Sequence, residues 1–241
     1  MALLEVCCGS LESVDAAVAG GARRIELCAD LETDGLTPPV EWLKTVRHRY
    51  PSLIVHVLIR PRPGNFVYSP EEVDTMAAQV GQALEAGAEG IVIGCLTPSH
   101  DVDVDAMERL TGIADRPVTF HRAFDVCRRP FEAMERIIGL GCARILTSGQ
   151  GPTVVEGADM LRELRKRADG RIIILPGGGV TPVNATRILR LTGCSEIHAS
   201  ASEIIDGKKI TSATRVAAIL DAISSSAAVP RPSRGRRRPC R

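Results

Sequence analysis

The feature that most limits what this chain can fold into is a repeat. One unit recurs eight times: a short apolar run, a turn rich in Gly, Ser, Thr or Pro, then a stretch with helical periodicity. The apolar runs fall at 3–8, 24–29, 54–59, 90–95, 118–122, 144–148, 171–175 and 196–200. Each is short and rich in Ile, Leu and Val, as strands are. The helical stretches fall at 10–19, 39–50, 70–86, 103–114, 131–140, 153–168, 182–191 and 211–223. Pro39 and Pro70 open two of them, and Gly20, Gly87 and Gly141 follow three others, which is the asymmetry of helix boundaries.

Eight strand–helix units in a row predict an α/β fold closed into a (β/α)8 TIM-type barrel. The barrel is read as a single domain over residues 1–223. At 241 residues the chain has the usual size for one. The competing architecture, a doubly wound open sheet, would carry a G-x-G-x-x-G turn after its first strand. The first turn here is Cys8-Gly9-Ser10, which favours the barrel. Aromatic residues make up only 3%, so the core is to be built from aliphatic side chains, as suits a parallel sheet covered by helices.

The formal charge of +1 conceals an asymmetry. Residues 224–241 hold six arginines and no acid, so without them the charge is +1 − 6 = −5. A mildly acidic barrel is not a nucleic-acid surface, and the tail reads as a solvated, disordered basic end. No apolar run approaches the roughly 20 residues of a membrane span. Eight cysteines lie mostly within apolar runs and not in a disulfide framework. The opening MALLEVCCGS lacks the basic-then-apolar order of an export signal, so reduced thiols and a cytoplasmic location are expected.

Alternation along the strands decides which side chains enter the barrel. With Leu4, Val6, Ile25, Leu27, Val55, Val57 and Ile59 packing on helices, Glu5, Cys7, Glu26, Cys28, His56, Leu58 and Arg60 point inward. Thr119 and His121 on the fifth strand, and Glu196, His198 and Ser200 on the eighth, do the same. Any one of these can be a satisfied core group. Together they place three Glu, three His and an Arg in one interior, where an unpaired charge costs several kcal/mol, and that points to a ligand.

The strand-to-helix loops extend the pattern. Arg60 and Arg62 flank a proline at the mouth and suit an anion. His121, Arg122 and Asp125 put a base, a cation and a carboxylate after the fifth strand, and Ser148 follows the sixth. Gly177, Gly178 and Gly179 follow the seventh, where barrels often hold phosphate, although a tight loop alone also explains them. Cys7 and Cys28 are read at matching positions of neighbouring strands, which lie about 5 Å apart. Two soft thiolates at that distance suit Cu(I) better than zinc, and two buried thiols can also merely fill space.

The motifs Glu5-Val6-Cys7, Arg24-Ile25-Glu26-Leu27-Cys28, Gly35-Leu36-Thr37-Pro38 and Ile59-Arg60-Pro61-Arg62 resemble those of the CutC copper homeostasis proteins. So do Thr119-Phe120-His121-Arg122-Ala123-Phe124-Asp125, the run from Arg144 to Gly149, Pro176 with its three glycines, and Ile197-His198. The resemblance runs from about residue 3 to 200. It implies a barrel, a cytoplasmic protein that self-associates, and a role in copper handling with Cu(I) on Cys7 and Cys28. It breaks after Ser200: the loop before the last helix is shortened to 201–210, and the Arg-rich tail is foreign to the pattern.

Two functions of different class follow. One is a copper-binding protein with Cys7 and Cys28 as ligands. The other is an isomerase, lyase or aldolase acting on a small anion. There Arg60 and Arg62 clamp the anion, with Glu5, His56, Arg122, Ser148, Gly177 and Gly178 also around the substrate. His121 is the base and Asp125 its orienting group, Glu26 a second acid or base, and His198 an electrophilic donor. No organic cofactor is expected, nor any nucleic acid on the barrel. A weaker third reading makes the barrel an inert scaffold for a partner-binding tail.

Overall fold

The computed structural model describes residues 2–205 and 208–225. Eight parallel strands form one sheet: β1 (Leu3–Cys8), β2 (Arg24–Leu27), β3 (Ile54–Leu58), β4 (Gly90–Ile93), β5 (Val118–Phe120), β6 (Arg144–Thr147), β7 (Ile173–Pro176) and β8 (Glu196–Ala199). Seven helices separate them: α1 (Leu11–Ala19), α2 (Val40–Arg49), α3 (Pro70–Glu85), α4 (Val104–Ile113), α5 (Pro130–Gly139), α6 (Ala158–Ala168) and α7 (Ala185–Thr192). The sheet runs from β7 through β6, β5, β4, β3 and β2 to β1 and then β8. A parallel bridge between Gly177 and His198 brings its two edges together and closes the barrel.

Helix starts follow their caps. Ser10 and Asp103 accept from the amides of Ser13 and Ala106, and Ser69 with Glu72 forms a reciprocal capping box ahead of Pro70. The outward strand residues Val6, Ile25, Leu27, Val55, Val57, Ile91 and Ile145 are buried against the helices. A much smaller apolar cluster of Cys28, Leu58 and Val92 sits inside the barrel, because most other inward positions are polar.

Three elements differ from the sequence expectation. β5 stops at Phe120 because His121 accepts from the amide of Ala123 and turns the chain into a short 3-10 segment, Arg122–Val126. α6 starts at Ala158 rather than 153, since residues 149–157 fold tightly under β6: a Cβ on Gly157 would lie 1.8 Å from the Ser148 carbonyl oxygen. The segment expected as a shortened loop is an antiparallel hairpin, β9 (Ser202–Ile205) and β10 (Lys208–Thr211), leading into α8 (Ala213–Ser225). Thr211 ties the hairpin to the barrel, its amide donating to Ser13 Oγ and its hydroxyl to the carbonyls of Cys7 and Ser200. Ser224 and Ser225 belong to α8, and the disordered end expected for the rest of the tail falls on 226–241, outside the described residues. No described helix is long and apolar enough to cross a membrane.

Candidate ligand and metal site at the barrel mouth

The carboxyl ends of the strands surround a cavity of ≈ 570 Å³. Of the residues singled out from sequence, Cys7, Glu26, Cys28, Arg60, His121, Arg122, Asp125, Gly178 and His198 line it. Leu31, Asp34, Phe66, Ser202 and Lys209 complete the wall from the loops and the hairpin. A second cleft, ≈ 340 Å³ beside α2 and α3, is lined by Thr37, Leu43, Gln79 and other groups that do not titrate.

Cys7 lies across from Glu26 in the strand register, not from Cys28, so the two cysteines are offset by two positions. Their side chains still converge, with Sγ to Sγ at 3.6 Å. Cys7 Sγ, a Glu26 carboxylate oxygen and a His198 ring nitrogen all lie within 4.8 Å of one another, and such a set can hold a metal ion. Cys7 and Cys28 are both free thiols. The Cys28 contact and burial push the Cys7 thiol well up from its ordinary range. For Cys28 the contact with Cys7 favours the thiolate, but burial and the Glu26 charge outweigh it and the thiol is raised as well. Both are therefore protonated near neutrality.

Beneath the cavity lies a buried ionic lattice. Glu5 is fully buried and meets Arg24 Nε at 2.8 Å, His56 Nδ1 at 2.8 Å and His198 Nδ1 at 3.0 Å. His198 Nε2 then faces Glu26 at 3.4 Å. Arg24 and Arg144 both pair with Glu196 further down. Burial opposes the Glu5 charge, yet the bonds from His198 and His56 hold its carboxyl well below the carboxylate range. Burial likewise opposes a charged His198, and contacts with Cys7, Glu5 and Glu26 raise it well above the ordinary imidazole range. Glu26, raised by burial, is the weaker acid of the two that flank this ring. A carboxylate on Nδ1 fixes the ring so that Nε2 faces Glu26, the orientation found behind metal-binding histidines.

Several residues singled out from sequence have other surroundings than expected. Arg62 does not line the cavity: its guanidinium binds Glu72 and the Val67 carbonyl on the α3 side. Arg60 reaches the mouth, and its Nη1 and Nη2 donate to the carbonyls of Thr33, Gly35 and Gly64, which pins the neighbouring loops. His121 is not paired with Asp125. Its Nδ1 accepts from the Ala123 amide, and burial with the Arg60 charge lowers it to about 3, so it is a neutral N–H donor and a poor base. Asp125 instead accepts from Thr147, the amides of Ser148 and Gln150, and Arg122. Glu5 and His56 sit one layer below the cavity; Ser148 donates to the Gly151 carbonyl, and Gly177 lies in the closing bridge.

Sequence reading missed Arg24 and Arg144, although they share the inward parity of Glu26 and Leu146. As first residues of their strands they look like solvent-facing ends. Phe66, packed 5.0 Å from the His121 ring, carries no signal beyond its place in the third loop.

Fold and site together define a (β/α)8-barrel protein whose mouth closes over a buried Cys–Glu–His pocket. The profile of the CutC family matches residues 2–203. A CutC family protein of Bacteroides fragilis is 50% identical over 204 residues, covering 84% of this chain and 81% of that one. Another from Chromobacterium violaceum is 46% identical over 200 residues, 83% of this chain and 81% of that one. A solved structure from Streptococcus agalactiae, assigned as a copper homeostasis protein CutC, has a TM-score of 0.80 and 32% identity over 83% of this chain and 99% of its own. Phosphoribosyl anthranilate isomerase of Thermotoga maritima, at TM-score 0.61 and 14% identity over 93% of this chain and all of its own, shares the fold alone. The chain belongs to the CutC family.

Proposed function

We propose that this protein binds Cu(I) at the barrel mouth, with Cys7 and Cys28 as the sulfur ligands and His198 Nε2 as the available third donor. The observation that carries the reading is the 3.6 Å separation of the two thiols beside Glu26 and His198. A metal–sulfur bond of about 2.3 Å lets one ion reach two sulfurs up to about 4.6 Å apart, so the pair fits a shared ion. Two sulfurs and an imidazole form a soft set, which favours Cu(I) over hard cations. The likeness to the S. agalactiae protein assigned to copper homeostasis supports the same choice.

What this chain contributes is a preformed, proton-loaded site. Both thiols are protonated near neutrality, so binding displaces protons and the apparent affinity rises with pH. Glu5 holds the His198 ring in place, and Glu26 beside it accepts or returns a proton as the ion arrives or leaves.

Anaerobic titration with Cu(I) against a competing chelator tests this. Wild type binds one ion per chain, more tightly at pH 8 than at pH 6, and the Cys7→Ser/Cys28→Ser variant binds at least a hundredfold more weakly. Undiminished binding in the variant, or Zn2+ displacing Cu(I) from the wild type, contradicts the reading.

A further inference from the structure

One ion leaves most of a ≈ 570 Å³ cavity unused, and a copper site has no need of cations. Yet Arg60, Arg122 and Lys209 all face it. The rim formed by the loops after β5 and β7 holds a set of hydrogen-bond donors with nothing to donate to. His121 is 5% exposed and its Nε2 is buried without a partner. Because Nδ1 accepts from Ala123, the proton sits on Nε2, which is thus an unsatisfied donor. Arg60 Nε is buried and unpartnered too. Two buried donors on residues that line one cavity call for an acceptor, since leaving each unmade costs about 1–3 kcal/mol.

The opposite requirement, an anchor for charge, is met by Arg122. Asp125 binds its Nε at 2.7 Å and is itself held by Thr147 and the amides of Ser148 and Gln150, which fixes the guanidinium plane. Among the described residues Arg122 Nη1 has no partner, and neither do the amides of Gly178, Gly179 and Val180, which line the same cavity. Gly178 has φ +106, which side chains rarely adopt, and a Cβ there would lie 3.3 Å from Arg122 Cζ, so the guanidinium lies close against this loop. A cation beside successive free amides can hold an oxyanion. Acids also face the cavity: Asp125 is saturated by its four donors, Glu26 is engaged by His198, and Asp34 is solvent-exposed.

We propose that this rim is a second binding site, for a small hydroxylated organic anion. Its phosphate or carboxylate rests on Arg122 and the Gly178–Val180 amides, and a hydroxyl or carbonyl oxygen accepts from His121 Nε2. The site is independent of the copper reading, because none of these groups is a sulfur or metal ligand.

Calorimetric titration with glycerol 3-phosphate and with lactate tests it and separates the two anion types. One of the two binds saturably. Arg122→Gln, a half-exposed position that leaves the barrel intact, weakens that binding by about tenfold or more, the loss of one charge-assisted hydrogen bond. His121→Leu weakens it as well, and His121→Gln, which keeps a side-chain N–H, restores it. The absence of saturable binding by either probe, or binding undiminished by Arg122→Gln, overturns the proposal.

Discussion

His121 and His198 line the same cavity, and their surroundings drive them opposite ways. His198 stands between two carboxylates and keeps its proton; His121, buried and beside Arg60 and Phe66, stays neutral down to about pH 3. This has a sign in stability. Unfolded, an imidazole binds a proton below about 6.5, while native His121 does not do so until about 3. Its contribution is complete above pH 6.5 and is lost as pH falls from there toward 3, an effect on the order of a few kcal/mol. Glu5, whose carboxyl is held low, loses stability in the same direction. His121→Gln is therefore expected to flatten, without abolishing, the fall in melting temperature between pH 6.5 and pH 3.5. An unchanged acid limb would mean that His121 is already charged in the fold. At this scale the sequence told which residue types enter the barrel, but not their partners: nothing in the spacing of Arg62 and Glu72, or of Asp125 and Thr147, marks them as bonded.

Among the elements, parity was the legible part. Alternation placed Glu5, Glu26, His56, His121 and His198 inward because a slip of one residue would have turned the Val, Ile and Leu of every strand into the barrel. The boundaries that failed are those set by tertiary contact. α6 begins late because Gly157 must pass under Ser148, a backbone crossing that periodicity does not encode. Gly157→Ala is expected to destabilise the fold by about 1–3 kcal/mol, read from a chemical denaturation midpoint, as the loop moves to admit a methyl group. No change would show that this loop is loosely packed. The hairpin of β9 and β10 went unread for a related reason. Its strands, Ser202–Ile205 and Lys208–Thr211, are four residues each, and Thr211 is fixed by bonds to Ser13 and Cys7, contributed by the far end of the chain, as well as to Ser200.

Across the whole molecule, the interior departs from the aliphatic layers that usually fill such barrels. Glu5, Arg24, His56, Arg144, Glu196 and His198 form one paired lattice below the mouth. Buried pairs of this kind seldom add net stability over apolar packing, so their service is positional: they hold His198 and Glu26 beside the thiols. The measurement that bears most directly on this arrangement is Cu K-edge X-ray absorption of the Cu(I)-loaded protein beside its Cys28→Ser variant. Two sulfur scatterers in the wild type and one in the variant are the predicted result. A wild-type ion surrounded only by nitrogen and oxygen, or sulfur scattering unaltered in the variant, would contradict a copper site built on Cys7 and Cys28.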